Sequence, residues 1–224
     1  MAEKEGKPFF LTKSDYIYNS LKDDIVTGVL KSNERLILSK VAEQFNASEV
    51  PVREAIKKLE VNGLVKNVPY VGAVVKALND TEVKDLYQIR AYVESLAIKL
   101  AIQRSDKAGI KKLKEIIMVM EGAMKEGDVA EFGRTDKKFH LEIARQSGNT
   151  RLHRMIEELW NETEQAQSIF RADPALMKQS FEEHLDIFHT IVKNNIEQAE
   201  ELAKKHRLRI AKKVLEHISS EEDI

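Results

Sequence analysis

The chain has 224 residues, of which 42% are apolar and 33% charged, with a formal net charge of −1. This is enough apolar material for one large or two modest cores, and it excludes general disorder. Four Pro, nine Gly and 6% aromatics argue against a β-sandwich or barrel, and the lack of Cys excludes disulfides, thiolate zinc sites, iron–sulfur clusters and a cysteine nucleophile. The N-terminal MAEKEGKPFF is charged, and no apolar run approaches 18 residues, so a cytoplasmic protein with no membrane partner is expected. Residues 1–78 carry 12 Lys+Arg against 10 Asp+Glu (+2), and residues 79–224 carry 24 against 27 (−3). That asymmetry is too small to suggest a nucleic-acid partner by itself.

The predicted elements divide the chain at 1–78 and 79–224. Ile17, Leu21, Ile25 and Val29 form a four-residue stripe within Leu11–Val29, ending near Gly28. Ser39 is placed to cap a short helix, Lys40–Phe45; Asn46-Ala47 makes a turn, and Ser48 caps a second helix with Pro51 in its first turn. Val52, Ile56 and Leu59 bury one face of it, and Asn62-Gly63 stops it. Two β-prone runs, Leu64–Val68 and Ala73–Val75, flank Pro69-Tyr70-Val71-Gly72 and read as a hairpin. Three helices and a hairpin make a winged helix-turn-helix. From Asp80 onward the pattern is helical only, in six segments: 81–103, 106–126, 129–147, 150–171, 175–193 and 196–218, separated by Gly/Asn/Asp/Pro punctuation. The expected fold is mainly α, a winged helix-turn-helix followed by a bundle of about six helices, with a linker around Lys76–Asn79.

In a helix-turn-helix the second helix enters the major groove and its first residues meet base edges. Here it begins Ser48-Glu49-Val50-Pro51-Val52-Arg53. Arg53 and Lys57 share the face opposite Val52, Ile56 and Leu59; Arg53 suits guanine and Lys57 a phosphate, and Ser48 at the helix start could hold another phosphate. Tyr70 and Gly72 in the hairpin are the wing candidates. The run PVREAI…LE..GLV (Pro51–Ile56, Leu59-Glu60, Gly63-Leu64-Val65) with Lys40-Val41-Ala42 and Asn46-Ala47-Ser48 resembles the DNA-binding domain of the GntR family of bacterial transcription regulators. The resemblance implies a DNA-binding regulator. Two departures stand out: Ser32-Asn33 replaces the family's usual Pro-Gly, and Glu49 occupies the position of a base-contacting Arg. An acid there repels phosphate or accepts from cytosine N4, so a shifted operator or weaker affinity is expected, with Arg53 carrying more of the readout.

In the second region four polar side chains fall on apolar stripes. Asp136 and His140, one turn apart, share a face with Phe132, Phe139 and Ile143; His184 lies between Phe181 and Phe188; His206 lies between Leu202/Ala203 and Ile210. A lone buried His is commonly a satisfied core residue, whereas a buried Asp needs a partner. Together the four could supply three nitrogens and one carboxylate oxygen to a first-row divalent ion: zinc by availability, with nickel or manganese as alternatives. His153 and His189 lie on the flanks of their stripes, and His217 falls in a last turn. Glu142, the nearest acid to His140, points to another face, so no general base accompanies the motif and the chain is not read as an enzyme.

The residues Arg90…Glu94, Asp136-Lys137-Lys138-Phe139-His140, Ser147-Gly148-Asn149, Glu183-His184 and His206 resemble the helical effector domain (FCD) of the FadR subgroup of GntR regulators. The resemblance implies a metal held by Asp136, His140, His184 and His206, and a small carboxylate or hydroxy-acid effector beside it. Arg90 is the candidate partner of that carboxylate, with an ion pair to Glu94 as its structural alternative; Asn149 is a candidate pocket donor or a helix cap. The expected function is a ligand-responsive regulator, a repressor binding a palindromic operator as a homodimer and released by the acid. The alternative is a regulator to which the metal ion itself is the effector.

Overall fold

The computed structural model describes residues 12–77, 79–164, 166 and 169–222. Leu11 in the first stripe, Leu78 in the expected linker and residues 165, 167 and 168 in the expected helix 150–171 lie outside the described residues. The chain falls into two compact units: the first runs up to Lys76 apart from Val26–Val29, which group with the second, from Ala77 onward.

The first unit contains α1 (Lys13–Val26), α2 (Leu38–Gln44), α3 (Glu49–Val61), β1 (Val65–Val68) and β2 (Gly72–Val75). Ile17, Leu21 and Ile25, four residues apart on α1, bury against Val41, Val52, Leu59, Leu64 and Val75. Helix α1 ends before Val29, which is exposed, so the fourth member of the expected stripe never joins the core. Helix α2 starts two residues earlier than Ser39 would place it: Ile37 takes the N-cap position with no side-chain bond. Ser48 does occupy the N-cap of α3, in an extended conformation, but its hydroxyl makes no capping bond. The turn between α2 and α3 closes with Asn46 at φ 44° and Ala47 N–H donating to Ala42 O. The hairpin pairs Val65 with Val75 and Val68 with Gly72, and Arg35 adds one antiparallel bridge to Val74 that the β-prone runs do not announce. Tyr70, at φ 65° and fully exposed, forms the tip of the wing, while Gly72 opens the return strand at φ 98°.

The second unit contains α4 (Asp80–Gln103), α5 (Lys107–Glu126), α6 (Val129–Gln146), α7 (Thr150–Thr163), α8 (Ile169–Ala172), α9 (Pro174–Val192) and α10 (Ile196–Glu222). Asn79, Asp106, Asp128, Asn149 and Asp173 each cap the helix that follows, their side-chain oxygens accepting backbone N–H groups of the first turn. Each such cap contributes about 1 kcal/mol and fixes where its helix begins. The expected helix 150–171 is instead two, α7 and the short α8. Buried Ala166, Ile169 and Phe170 continue the spacing of Ile156, Trp160 and Thr163, so the apolar period runs through the break with no Gly or Pro to mark it. Helix α4 packs along α10 and also meets α6 and α7; α9 lies against α5 and α10. Phe132, Phe139, Phe181, Ile187 and Ile210 are part of the core where these helices meet.

Candidate DNA-reading surface and metal centre

In the first unit, burial of Val52, Ala55, Ile56 and Leu59 turns the opposite side of α3 outward. Ser48, Glu49, Arg53 and Lys57 are all exposed there. Glu49 and Arg53 are one turn apart and form an ion pair, Glu49 Oε2 to Arg53 Nη2 at 2.9 Å. The residue expected to carry base readout is therefore held by the acid that departs from the family pattern. A groove lined by Arg35, Ser39, Glu49, Arg53, Lys57 and Gly72 runs between α3 and the wing, and Tyr70 projects from the wing's tip. Asp15 on α1 is bonded to Lys58 at the back of α3 at 2.5 Å. That bond and those from Thr12 lower the Asp15 carboxyl from 3.8 to about 2.

In the second unit, α6 supplies Asp136 and His140, α9 supplies His184 and α10 supplies His206; all four are buried. Phe139 packs edge-on against both the His140 and His184 rings, with centroids 5.4 and 5.3 Å away. Each of the four offers one donor atom, and these atoms all lie within 4.8 Å of one another. His140 Nε2 is 2.9 Å from His184 Nε2, and Asp136 Oδ1 is 2.9 Å from His184 Nε2 and 3.4 Å from His140 Nε2. Two ligands about 2.1 Å from one ion stand about 3.0 Å apart at a right angle and about 3.4 Å apart at the tetrahedral angle. The Asp136, His140 and His184 distances match that geometry, and the His206 donor lies within 4.8 Å of all three.

Hydrogen bonding outside the cluster aims the imidazoles. His140 Nδ1 lies 3.0 Å from Glu94 Oε2, and His206 Nδ1 lies 2.5 Å from Glu183 Oε2, which turns the Nε2 atoms toward the cluster. Asp136 Oδ1, His184 Nδ1 and His206 Nε2 are buried without a well-aligned hydrogen-bond partner. Burial pushes His184 down despite Asp136, and burial with neighbouring His184 and Arg207 pushes His206 well below the usual histidine range. Burial opposes the Asp136 charge, yet His140, His184 and Arg207 hold its carboxyl well below the ordinary value. With His184 and His206 pushed toward the neutral form beside the Asp136 carboxylate, the donor set suits a divalent first-row ion.

Arg90 is buried at 1% exposure. Its Nε donates to Glu94 Oε1 at 2.9 Å, its Nη1 donates to Thr163 Oγ1 at 2.5 Å, and its guanidinium lies 3.9 Å from the Trp160 ring centroid. The ion pair with Glu94 is thus present, while Arg90 Nη2 remains buried with no acceptor. Of the stripe expected for it, Leu86–Val93–Ala97–Leu100, Ala97 is buried and Val93 and Leu100 pack half-buried beside it, while Leu86 is half-buried and a second buried row runs through Val83, Tyr87, Arg90, Ala91, Glu94 and Ile98. Asn149 is not brought to the centre; it is exposed, and its side-chain oxygen caps α7 by accepting from Leu152 N–H at 3.1 Å. Sequence reasoning missed Arg207 and Trp160 altogether and took Glu94 only as Arg90's partner. Arg207 Nε donates to Glu94 Oε2 at 2.7 Å, and its guanidinium lies 4.7 Å from the Trp160 ring. The spacing Ala203, Arg207, Ala211, Val214 on α10 carried a signal for it, as a second buried stripe beside His206 and Ile210.

A winged helix-turn-helix unit followed by a helical unit with a buried polar centre defines a DNA-binding transcription regulator with an effector-type domain. Residues 13–75 match the gntR family of bacterial regulatory proteins, and residues 85–209 match the FCD domain. The chain belongs to the GntR family, in its FadR-like subgroup. It is 29% identical over 195 residues to the HTH-type transcriptional regulator YdhC of Bacillus subtilis, covering 87% of this chain and 85% of that one. It is 26% identical over 187 residues to the HTH-type transcriptional regulator McbR of Escherichia coli, covering 84% of each. It is 24% identical over 199 residues to the E. coli HTH-type transcriptional repressor GlaR, covering 85% of this chain and 90% of that one. The solved structure of McbR superposes with a TM-score of 0.73 at 22% identity, covering 95% of this chain and all of that one, a likeness of fold. These relatives are transcription regulators rather than enzymes. Among the described residues no helix is long and apolar enough to cross a membrane.

Proposed function

We propose that this regulator is a homodimeric repressor that reads a palindromic operator through α3 and the wing, and that a small carboxylate or hydroxy-acid bound at a zinc centre releases it. The observation that carries the reading is how the unsatisfied buried atoms sort by charge. Of six such atoms among the described residues, Asp136 Oδ1 and His206 Nε2 call for a cation and Arg90 Nη2, Arg207 Nη2 and Trp160 Nε1 call for an acceptor; the sixth, His184 Nδ1, faces away from the cluster nitrogen and joins neither group. Buried polar groups seldom stay unsatisfied in native proteins, so a centre missing both is built for a cation and an anion together. Asp136, His140, His184 and His206 would hold the ion, which supplies a Lewis-acidic anchor for a carboxylate or hydroxyl oxygen. Arg90 and Arg207 would take the acid's remaining charge.

One recognition helix reads only a half-site, and two-fold protein symmetry matches a palindrome; this supports the homodimer. The repressor sense is carried over from GlaR, a transcriptional repressor. The acid acts on DNA binding only by favouring one arrangement of the chain over another. To test this, duplexes enriched from a random library by the zinc-loaded chain are titrated by fluorescence anisotropy against mono- and dicarboxylates. An acid that binds by calorimetry is expected to weaken operator binding tenfold or more. Tight acid binding with unchanged DNA affinity refutes release by the acid. Chelating the metal with no acid present tests the ion as effector: operator affinity that tracks metal alone gives that role to the ion.

A further inference from the structure

Among the described residues, Glu94 is the carboxylate hydrogen-bonded to both Arg90 and Arg207 and to the cluster residue His140. Its Oε1 accepts from Arg90 Nε at 2.9 Å, while its Oε2 is shared by Arg207 Nε at 2.7 Å and His140 Nδ1 at 3.0 Å. The three partners come from α4, α6 and α10, and every group involved is buried. Two guanidinium groups and an imidazole thus draw on a single negative charge, and the two that share Oε2 belong to different tasks. His140 presents its other nitrogen to the cation cluster, whereas Arg207 keeps a buried Nη2 with no acceptor.

We infer that Glu94 is a positioning residue that couples metal binding to anion binding by dividing Oε2 between His140 and Arg207. The inference rests on the metal-and-anion reading above. When an anion draws the Arg207 guanidinium toward itself, the hold of Arg207 on Oε2 weakens. Oε2 then accepts more fully from His140 Nδ1–H, and a better-accepted Nδ1–H makes Nε2 a stronger donor to a cation. The converse follows by linkage: a cation at Nε2 polarises Nδ1–H toward Oε2 and frees Arg207 for the anion. Anion and metal each raise the affinity of the other by the same factor, for which couplings of about 5- to 150-fold are typical. Arg90 and Arg207 are balanced by the buried carboxylates Glu94 and Asp136, so a bound divalent cation would leave positive charge in excess, and the anion would supply its counter-charge.

The test uses the metal-free full chain, Co2+ as a visible-absorbing probe and acetate as the simplest carboxylate. In the wild type, saturating acetate is expected to tighten Co2+ binding about fivefold or more. Glu94→Gln is expected to weaken Co2+ binding about tenfold or more and to abolish the acetate effect, because the amide presents N–H groups where donors already point. Arg207→Met frees Glu94 Oε2 for His140; it is expected to tighten Co2+ binding about fivefold with no acetate present and to lose the further acetate effect, and it carries the test alone if Glu94→Gln fails to fold. An acetate effect retained in the variants, or missing from a wild type that binds Co2+, overturns the coupling. A wild type that does not bind Co2+ overturns the metal reading instead.

Discussion

Loading the Asp136/His140/His184/His206 centre with Zn2+ should raise the unfolding temperature of the C-terminal unit, and the size of the rise follows from its construction. The donors come from α6, α9 and α10, so an ion bound by all four exists only in the folded unit. Free Zn2+ at about 1,000 times its dissociation constant then stabilises the fold by about 4 kcal/mol. A unit of roughly 150 residues unfolds with an entropy near 0.3 kcal/mol/K, so the midpoint should rise by about 12 °C. Trp160 is the chain's single tryptophan, is 2% exposed, and its ring lies 5.6 Å from His140. Its fluorescence therefore reports this unit and not the DNA-reading one. Asp136→Asn keeps the shape and removes the charged ligand; a hundredfold loss of affinity would take away about 2.7 kcal/mol, or about 8 °C of the rise. A midpoint unmoved by chelation, or a full rise in Asp136→Asn, would refute the assignment of these residues as ligands.

Two further predictions concern the DNA-reading unit. Glu49→Gln releases Arg53 from its 2.9 Å ion pair and removes an acid from the DNA-facing side, so binding to the selected operator should tighten and discrimination at the base pair Arg53 reads should sharpen. Arg53→Ala should cost about 1–3 kcal/mol on the selected operator and relax preference at that base pair, and discrimination unchanged in Glu49→Gln would show that the pair does not restrain Arg53. The second concerns acid. Asp15 has its carboxyl lowered from 3.8 to about 2 by Lys58 and Thr12. A lowered acid pKa stabilises the folded state fully above the unfolded value, and the contribution disappears as pH falls through the folded one. Stability of α1 against α3, followed by methyl NMR of Ile17 and Leu21, should therefore decline between about pH 4 and pH 2, and Asp15→Asn should flatten that decline. Equal acid sensitivity in the two proteins would count against the Asp15–Lys58 bond.

The α3 arrangement and the metal cluster differ in how far local chemistry reaches. Val52, Ile56 and Leu59 decide by their spacing which side of α3 is solvated, so the outward placement of Arg53 and Lys57 was legible without coordinates. Helix starts were also legible at Asp128, Asn149 and Asp173, whereas the caps Asn79 and Asp106 were not read, Asp106 falling inside the expected segment 106–126. They were misread at α2, where Ile37 takes the cap position ahead of Ser39 because packing, not a side-chain bond, sets the end. The α7–α8 break was hidden for a related reason: periodicity records which residues are buried, and Trp160 and Phe170 stay buried on either side of the interruption, with Ala166 buried within it.

Amphipathic spacing and capping, which act within one turn of helix, were thus set by the residue order alone: the winged unit, the helical second unit, and a separate inward-facing row for each of Asp136/His140, His184 and His206. Residue order could not decide which rows meet, because that depends on how helices far apart in the chain pack. Packing α4 along α10 brings Glu94 and Arg207 within 2.7 Å across 113 residues of sequence, and it surrounds a buried charge with partners that no local pattern names. A buried ion must find its counter-charge in three dimensions, since the cost of leaving it unpaired is paid by the folded interior and not by the local chain.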